Sequence, residues 1–151
     1  MIPSMFVVTE VPAPLAGMAF PQPETDWQAL YAQGFVHVVR LHPADYDSAP
    51  LVAHDRPLED LYGGAAPRDP VAEQRSIWDA AILVAELVSR GEGVVVHCVG
   101  GTGRTGTVLV CALRRLGRSA DEAMATVRQY RPHWPESPWQ ERVVRSEPEL
   151  R

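Results

Sequence analysis

Short apolar segments alternate with longer amphipathic ones along this chain, a pattern typical of alternating strands and helices. Apolar, partly β-branched segments predict strands at 5–9, 35–41, 51–54 and 93–97. Helical periodicity predicts helices at 26–33, 70–90, 104–116 and 120–130, with a last helix beginning near residue 138. Strands that alternate with helices favour a three-layer α/β domain, with a mainly parallel central sheet flanked by helices.

The helix boundaries rest on capping residues. Asp69 followed by Pro70 is a strong helix start, and Ser-x-x-Glu at 119–122 and Ser-x-x-Gln at 137–140 have capping-box spacing. Thr25 and Gln28 have the same spacing, which makes Thr25 the expected cap of the first helix. The proline-rich first 24 residues are expected to be an irregular lead-in apart from the strand at 5–9.

Length and composition restrict the class of protein. A chain of 151 residues, 46% hydrophobic and 22% charged, is expected to form one globular domain over 1–151. No secretory leader or membrane span is read in the sequence, and two cysteines make no disulfide framework, so a cytoplasmic location is expected. The net charge of −5 disfavours nucleic acid and membrane partners. Every basic residue is arginine, so an anion site here must use arginine and backbone amides.

The candidate chemistry lies between the strand at 93–97 and the helix at 104–116. The segment 97–106 reads His-Cys-Val-Gly-Gly-Thr-Gly-Arg-Thr-Gly. Glycines let successive N–H groups face one anion, and the helix N-terminus adds partial positive charge that also stabilises a thiolate at Cys98. Arg104, separated from Cys98 by five residues, can bind a phosphate through its planar fork. A nucleotide P-loop would have glycine at 98 and lysine at 104, so an ATPase is rejected.

His-Cys-x-x-Gly-x-x-Arg-Thr-Gly resembles the signature of the cysteine-dependent protein tyrosine phosphatases, most closely the small dual-specificity branch. Further matches lie at 36–41, at Pro-Leu-Glu-Asp 57–60 and at Arg-x-x-Arg-Pro 128–132. The resemblance therefore covers most of the chain and implies a dual-specificity phosphatase-like fold.

The resemblance implies a role for each residue of the motif. Cys98 would attack phosphorus and carry a phosphocysteine intermediate, and Arg104 would bind the phosphate oxygens. Thr105 would donate a hydrogen bond to the sulfur, and His97 would orient the loop. No metal or other cofactor is implied. The remaining phosphate-binding positions are Val99, Gly100, Gly101, Thr102 and Gly103.

The general acid is a choice among three carboxylates. The leaving oxygen needs a proton from a group within hydrogen-bond distance. Asp60 is favoured because Pro-Leu-Glu-Asp resembles the acid loop of the family, while Asp55 and Glu59 remain open alternatives. Asp69 is assigned to the helix cap.

Simpler structural roles are expected elsewhere. Cys111 is expected to be an inert thiol, and Gln140, which could position a hydrolytic water, is assigned to the helix cap instead. Arg128 and Arg131 are expected to be solvated or in structural ion pairs. No role is assigned to four of the five histidines, His37, His42, His54 and His133.

The expected function is hydrolysis of phosphate monoesters, with phosphotyrosine in a protein or peptide as the favoured substrate and phosphoserine or phosphothreonine as further ones. One alternative is a phosphate-binding pseudophosphatase with little turnover. Another is a phosphatase of a non-protein substrate such as a phosphoinositide, which the neutral loop positions Val99, Gly100 and Thr102 disfavour. An arsenate reductase would need resolving cysteines, and Cys111 is badly placed for that role.

Overall fold

A five-stranded sheet forms the centre of the molecule in the computed structural model, which describes residues 4–61 and 64–148. The strand order is β1-β2-β5-β3-β4. The β1–β2 pair is antiparallel, and the other neighbours are parallel. The strands are β1 (Phe6–Thr9), β2 (Leu15–Met18), β3 (Phe35–Arg40), β4 (Val52–Asp55) and β5 (Gly93–His97).

In the part of the chain that the structure describes, five helices cover the two faces of this sheet. They are α1 (Trp27–Ala32), α2 (Pro70–Ser89), α3 (Gly103–Arg115), α4 (Ala120–Tyr130) and α5 (Pro138–Arg145). Leu30 of α1 packs on one face with Phe35 and Val38, whereas α2 to α5 contribute to the larger core on the other. The three-layer α/β prediction is confirmed. Among the described residues, no helix combines the length and apolar character needed to cross a bilayer.

The central position of α3 follows from its sequence. Residues 103–113 are buried without interruption, which is the pattern of a helix enclosed by other elements. The helix packs against β2 and β5 and against α2, α4 and α5. Its N-terminus is consequently held rigidly at the end of β5.

The predicted irregular lead-in was wrong at β2. All four residues of this strand are buried, and it pairs in parallel register with β5, with Met18 opposite His97. Prolines on both sides of the strand obscured the pattern. Gly17 is a position of close approach and not a turn, since a Cβ there would lie 2.8 Å from atoms of Leu109, Phe6 and Thr105.

The predicted cap of α1 was displaced by one residue. Asp26 is the N-cap, and its carboxylate accepts from the Ala29 amide at 3.0 Å. The Thr25 hydroxyl donates instead to the carbonyl of Gln22. Asp69 and Ser119 cap α2 and α4 as predicted.

Candidate active site

The candidate nucleophile follows directly after the central strand. All five residues of β5 are buried, and Cys98 lies at its carboxyl end, where ligands bind in parallel sheets. Residues 98–102 form the loop that connects β5 to α3; we call this segment the phosphate loop. The next residue, Gly103, begins α3, so a helix N-terminus opens onto the loop.

Contacts on two sides fix the path of the phosphate loop. Gly101 has a φ of +76°, and a Cβ there would lie 2.6 Å from the Met18 backbone, so the chain needs glycine at this position. The Phe20 amide donates to the Val99 carbonyl at 2.8 Å. On the other side, Arg131 Nε donates to the Gly101 carbonyl at 3.0 Å. The loop is therefore shaped by residues distant in sequence.

The Cys98 thiol is buried and faces the start of α3. Residue Cys98 is 3% exposed, and its Sγ accepts a hydrogen bond from Thr105 Oγ1 at 3.1 Å. A hydroxyl donor to sulfur stabilises negative charge on the sulfur. The contact expected for Thr105 is present in the structure.

His97 connects the phosphate loop to a tyrosine on another segment. Its Nδ1 lies 3.0 Å from the Cys98 carbonyl, which can only accept, so Nδ1 carries the proton. Its Nε2, 2.6 Å from Tyr46 Oη, then accepts from the hydroxyl. Burial lowers the pKa of His97 to about 4, which keeps the ring neutral at pH 7. Burial also raises the pKa of Tyr46, so its hydroxyl remains a donor.

Arg104 bridges the start of α3 and the segment that carries the favoured acid. Its Nη1 donates to the Leu58 carbonyl at 3.2 Å and to His42 Nδ1 at 3.1 Å. Its Nη2 lies 3.3 Å from a carboxylate oxygen of Asp60. Arg104 is 7% exposed, so these contacts hold the guanidinium in a protected position.

The three candidate acids have different partners. Asp55 receives two hydrogen bonds from Arg40, at 2.6 and 2.9 Å, and this pairing lowers the pKa of Asp55. Glu59 accepts from the Arg68 amide at 3.1 Å. Of the three, Asp60 is the one whose carboxylate contacts Arg104. This geometry favours Asp60.

A local turn holds Gln140 next to the start of α3. The backbone N–H of Gln140 donates to the Ser137 hydroxyl at 3.3 Å, as the cap assignment predicted. Its side-chain Oε1 accepts from the Glu136 amide at 2.8 Å. A Cβ on Gly103 would meet both the Glu136 carboxylate and the Gln140 amide. These two side chains cover the first residue of α3.

Sequence reasoning did not identify Tyr46. It expected the wrong contacts for Arg131 and assigned no role to His42. Arg131 makes hydrogen bonds to the carbonyls of Gly101 and Ser4, and no ion pair within residues 4–61 and 64–148, although its place in Arg-x-x-Arg-Pro had singled it out. His42 contacts Arg104 directly. Tyr46 carried no sequence signal because its contact with His97 spans 51 residues.

Other residues given structural roles lie outside the phosphate loop. Arg128 pairs with Glu141 at 3.6 Å, as expected of a surface ion pair. His37 has partners after all, with Nδ1 2.9 Å from His54 Nε2 and Nε2 2.7 Å from a Glu92 oxygen. Among the described residues, no group of three or more His, Cys, Asp or Glu could hold a metal ion.

Comparison with known proteins identifies the family. A family model described as PTP-SAK, Swiss Army Knife protein, DSP-PTPase phosphatase domain, matches residues 5–144. The chain is 32% identical to human protein tyrosine phosphatase type IVA 3 over 103 residues, 65% of this chain and 56% of that protein. It is 30% identical over 98 residues to tyrosine-protein phosphatase cdc-14 of Caenorhabditis elegans, 63% of this chain and 13% of that one. The matches thus span little more than half of the first relative and a small part of the second.

Solved structures agree in fold. A crystal structure of Tk-PTP in the active form superposes with a TM-score of 0.71 at 27% identity, covering 95% of both chains. Human DUSP28 gives a TM-score of 0.73 at 17% identity, covering 95% of this chain and 92% of that one, which shows the shared fold. The chain belongs to the DSP-PTPase domain family of Swiss Army Knife proteins, within the cysteine-dependent protein tyrosine phosphatase superfamily.

Proposed function

We propose that this domain hydrolyses phosphate monoesters through a phosphocysteine on Cys98, with phosphotyrosine in proteins or peptides as the preferred substrate. The observation that carries the proposal is the convergence at Arg104, which contacts Asp60 while its helix begins at the end of the phosphate loop. The proposed phosphate ligand thus contacts the proposed acid, and Thr105, the next residue of the same helix, contacts the proposed nucleophile. A pseudophosphatase would have no need of a carboxylic acid held beside the phosphate-binding arginine.

In the first step, the Cys98 thiolate attacks phosphorus and the bond from phosphorus to the leaving oxygen breaks. Asp60 gives its proton to that oxygen, so the product leaves as a neutral alcohol or phenol. Loop amides and two N–H groups of Arg104 bind the remaining oxygens, whose charge is stabilised by fixed donors.

In the second step, water attacks the phosphocysteine and the phosphorus–sulfur bond breaks. Asp60, now a carboxylate, takes the proton from the water. The Thr105 hydroxyl, 3.1 Å from Sγ, stabilises the departing thiolate. Phosphate is released and the starting enzyme is restored, with no metal in either step.

The rim of the loop supports an aromatic substrate. Val99, the residue after the nucleophile, is 47% exposed, and Phe20 lies beside it with a partly exposed side chain. The Phe20 ring also makes edge contacts with His42 and His97, at centroid distances of 6.1 and 5.2 Å. An apolar edge without lysine suits the ring of phosphotyrosine better than a polyanionic inositol phosphate.

Turnover with a defined set of substrates tests the proposal. In the presence of a chelator, phosphotyrosine peptides should be hydrolysed faster than phosphoserine or phosphothreonine peptides, and faster than phosphoinositides. Cys98→Ser should abolish turnover and still bind vanadate, since the loop amides and Arg104 remain. Activity above a few per cent in this variant would exclude the covalent mechanism, and a preference for inositides would reject the protein substrate.

A further inference from the structure

The segment that carries Asp60 is attached to the protein at several points. We call residues 57–61 the acid loop. Leu58 is buried in the larger core, and its amide donates to the Leu41 carbonyl at 3.0 Å. Its carbonyl accepts from Arg104. These contacts fix the loop on the N-terminal side of Asp60.

A second attachment comes from α2. Glu73, in the first turn of this helix, accepts through Oε2 from the backbone N–H of Glu59 at 2.7 Å. Negative charge is favourable in the first turn of a helix, which explains an acidic residue there but not its contact with the acid loop. Glu73 is partly buried, and burial raises its pKa above the ordinary value. The helix itself is rigid, with eight buried residues along its twenty.

The bonded amide belongs to the residue immediately before Asp60. On the other side of the same residue, the Glu59 side chain accepts from the Arg68 amide at 3.1 Å. Glu59 is thus held through its backbone by Glu73 and through its carboxylate by the segment leading into α2. The bonded N–H is part of the peptide unit that joins Leu58 to Glu59, so this contact fixes the Cα of Glu59, the residue next to Asp60.

We propose that Glu73 is a positioning residue that holds the acid loop closed and keeps Asp60 against Arg104, an inference that rests on the proposed function. Without the Glu73 oxygen, the Glu59 N–H loses its acceptor and open conformations of the loop gain population. A hydrogen bond to a charged group changes such an equilibrium roughly tenfold to a hundredfold. Removing the Glu73 oxygen should slow proton donation and leave phosphate binding intact, because binding uses Arg104 and the phosphate loop.

Substitutions of Glu73 that change its side-chain length or its charge separate a positioning role from a general effect on folding. Glu73→Gln keeps an oxygen at the same distance, whereas Glu73→Asp keeps the charge but is one methylene too short. Glu86→Ala, an exposed position on the same helix, is the matched control. With phenyl phosphate, a poor leaving group, kcat should fall about tenfold or more in Glu73→Asp and stay within about threefold of wild type in Glu73→Gln. With dinitrophenyl phosphate, which needs little protonation, all variants should remain within about threefold.

Coupling to Asp60 gives a second kinetic test. In the double variant Glu73→Asp with Asp60→Asn, kcat for phenyl phosphate should be no lower than in Asp60→Asn alone, because both changes remove the same proton donation. The inference would be overturned if the two changes lowered kcat multiplicatively in the double variant. It would also be overturned if Glu73→Asp lowered kcat equally for phenyl phosphate and for dinitrophenyl phosphate.

Hydrogen exchange tests the contact without relying on activity. The amides of the acid loop should exchange about tenfold or more faster in Glu73→Asp than in wild type, and at nearly the wild-type rate in Glu73→Gln. Unchanged exchange in Glu73→Asp would refute the inference even in an active enzyme. A wild-type protein that turns over none of the phosphate esters would instead refute the proposed function, while the exchange result would still decide whether Glu73 holds the loop.

Discussion

Replacing Tyr46 with phenylalanine tests the hydrogen bond that the structure places behind Cys98, the proposed nucleophile. The change removes one oxygen, which donates to His97 Nε2 at 2.6 Å. The ring contacts should survive, since Tyr46 stacks on Trp27 with centroids 5.3 Å apart and packs edge-on against Phe20. The perturbation is therefore confined to the hydroxyl.

The expected loss follows from the burial of His97, which is 0% exposed. With the ring neutral and its Nδ1 proton directed to the Cys98 carbonyl, Nε2 would be left as a buried acceptor without a partner. Such a group costs about 1–3 kcal/mol. Tyr46→Phe should lower the free energy of unfolding by that amount at pH 7.

Urea denaturation of wild type and Tyr46→Phe measures this difference. Tyr31→Phe is the matched control because Tyr31 is 47% exposed, and its effect should be below about 0.5 kcal/mol. Nitrogen NMR of the His97 ring should show the Nδ1–H tautomer. A loss below about 0.5 kcal/mol in Tyr46→Phe, or a wild-type ring protonated at Nε2, would refute the assigned direction of the hydrogen bonds.

The pH dependence of stability follows from the lowered pKa of His97. The pKa of His97 is about 4 in the folded protein against an ordinary value of 6.5, so the unfolded chain binds more protons between these values. The stability that neutral His97 contributes is present above pH 6.5 and is lost as pH falls toward 4, by about 3 kcal/mol in all. A His97 ring that titrates near pH 6.5 by NMR would contradict this.

Four further substitutions test the site and its support. Arg104→Lys should lower kcat/KM by at least about a hundredfold despite the retained charge, because lysine lacks the planar fork, and a near wild-type value would exclude bidentate binding. Asp60→Asn should flatten the basic limb of the pH–rate profile and slow poor leaving groups most, whereas Asp55→Asn should keep both features; the opposite pattern would transfer the acid role. Gly106→Ala should destabilise the fold by about 1–3 kcal/mol in urea denaturation, since its Cβ would overlap the Trp134 ring, and an unchanged midpoint would show that the ring can move.

Local sequence determined much of this protein. The strand β5, the phosphate loop and α3 follow from a run of apolar residues, glycines and a helix start that are contiguous in the chain, so the motif could be interpreted without tertiary information. The caps at Asp69 and Ser119 were also predictable, because a cap bonds an amide only three residues away.

Tertiary structure decided what depends on distant pairing. Strand β2 forms because its backbone pairs with β5, some eighty residues later in the chain. Its four residues lie among prolines and are too few to show the periodicity of a strand. The partner of Asp55 likewise depended on register: β3 pairs with β4 so that Arg40 lies opposite Asp55 and binds it, whereas Asp60 contacts Arg104. Tyr46 contacts His97, which lies 51 residues later in the chain. Side-chain contacts across such separations depend on how elements pack, and the pattern of a single segment does not encode them.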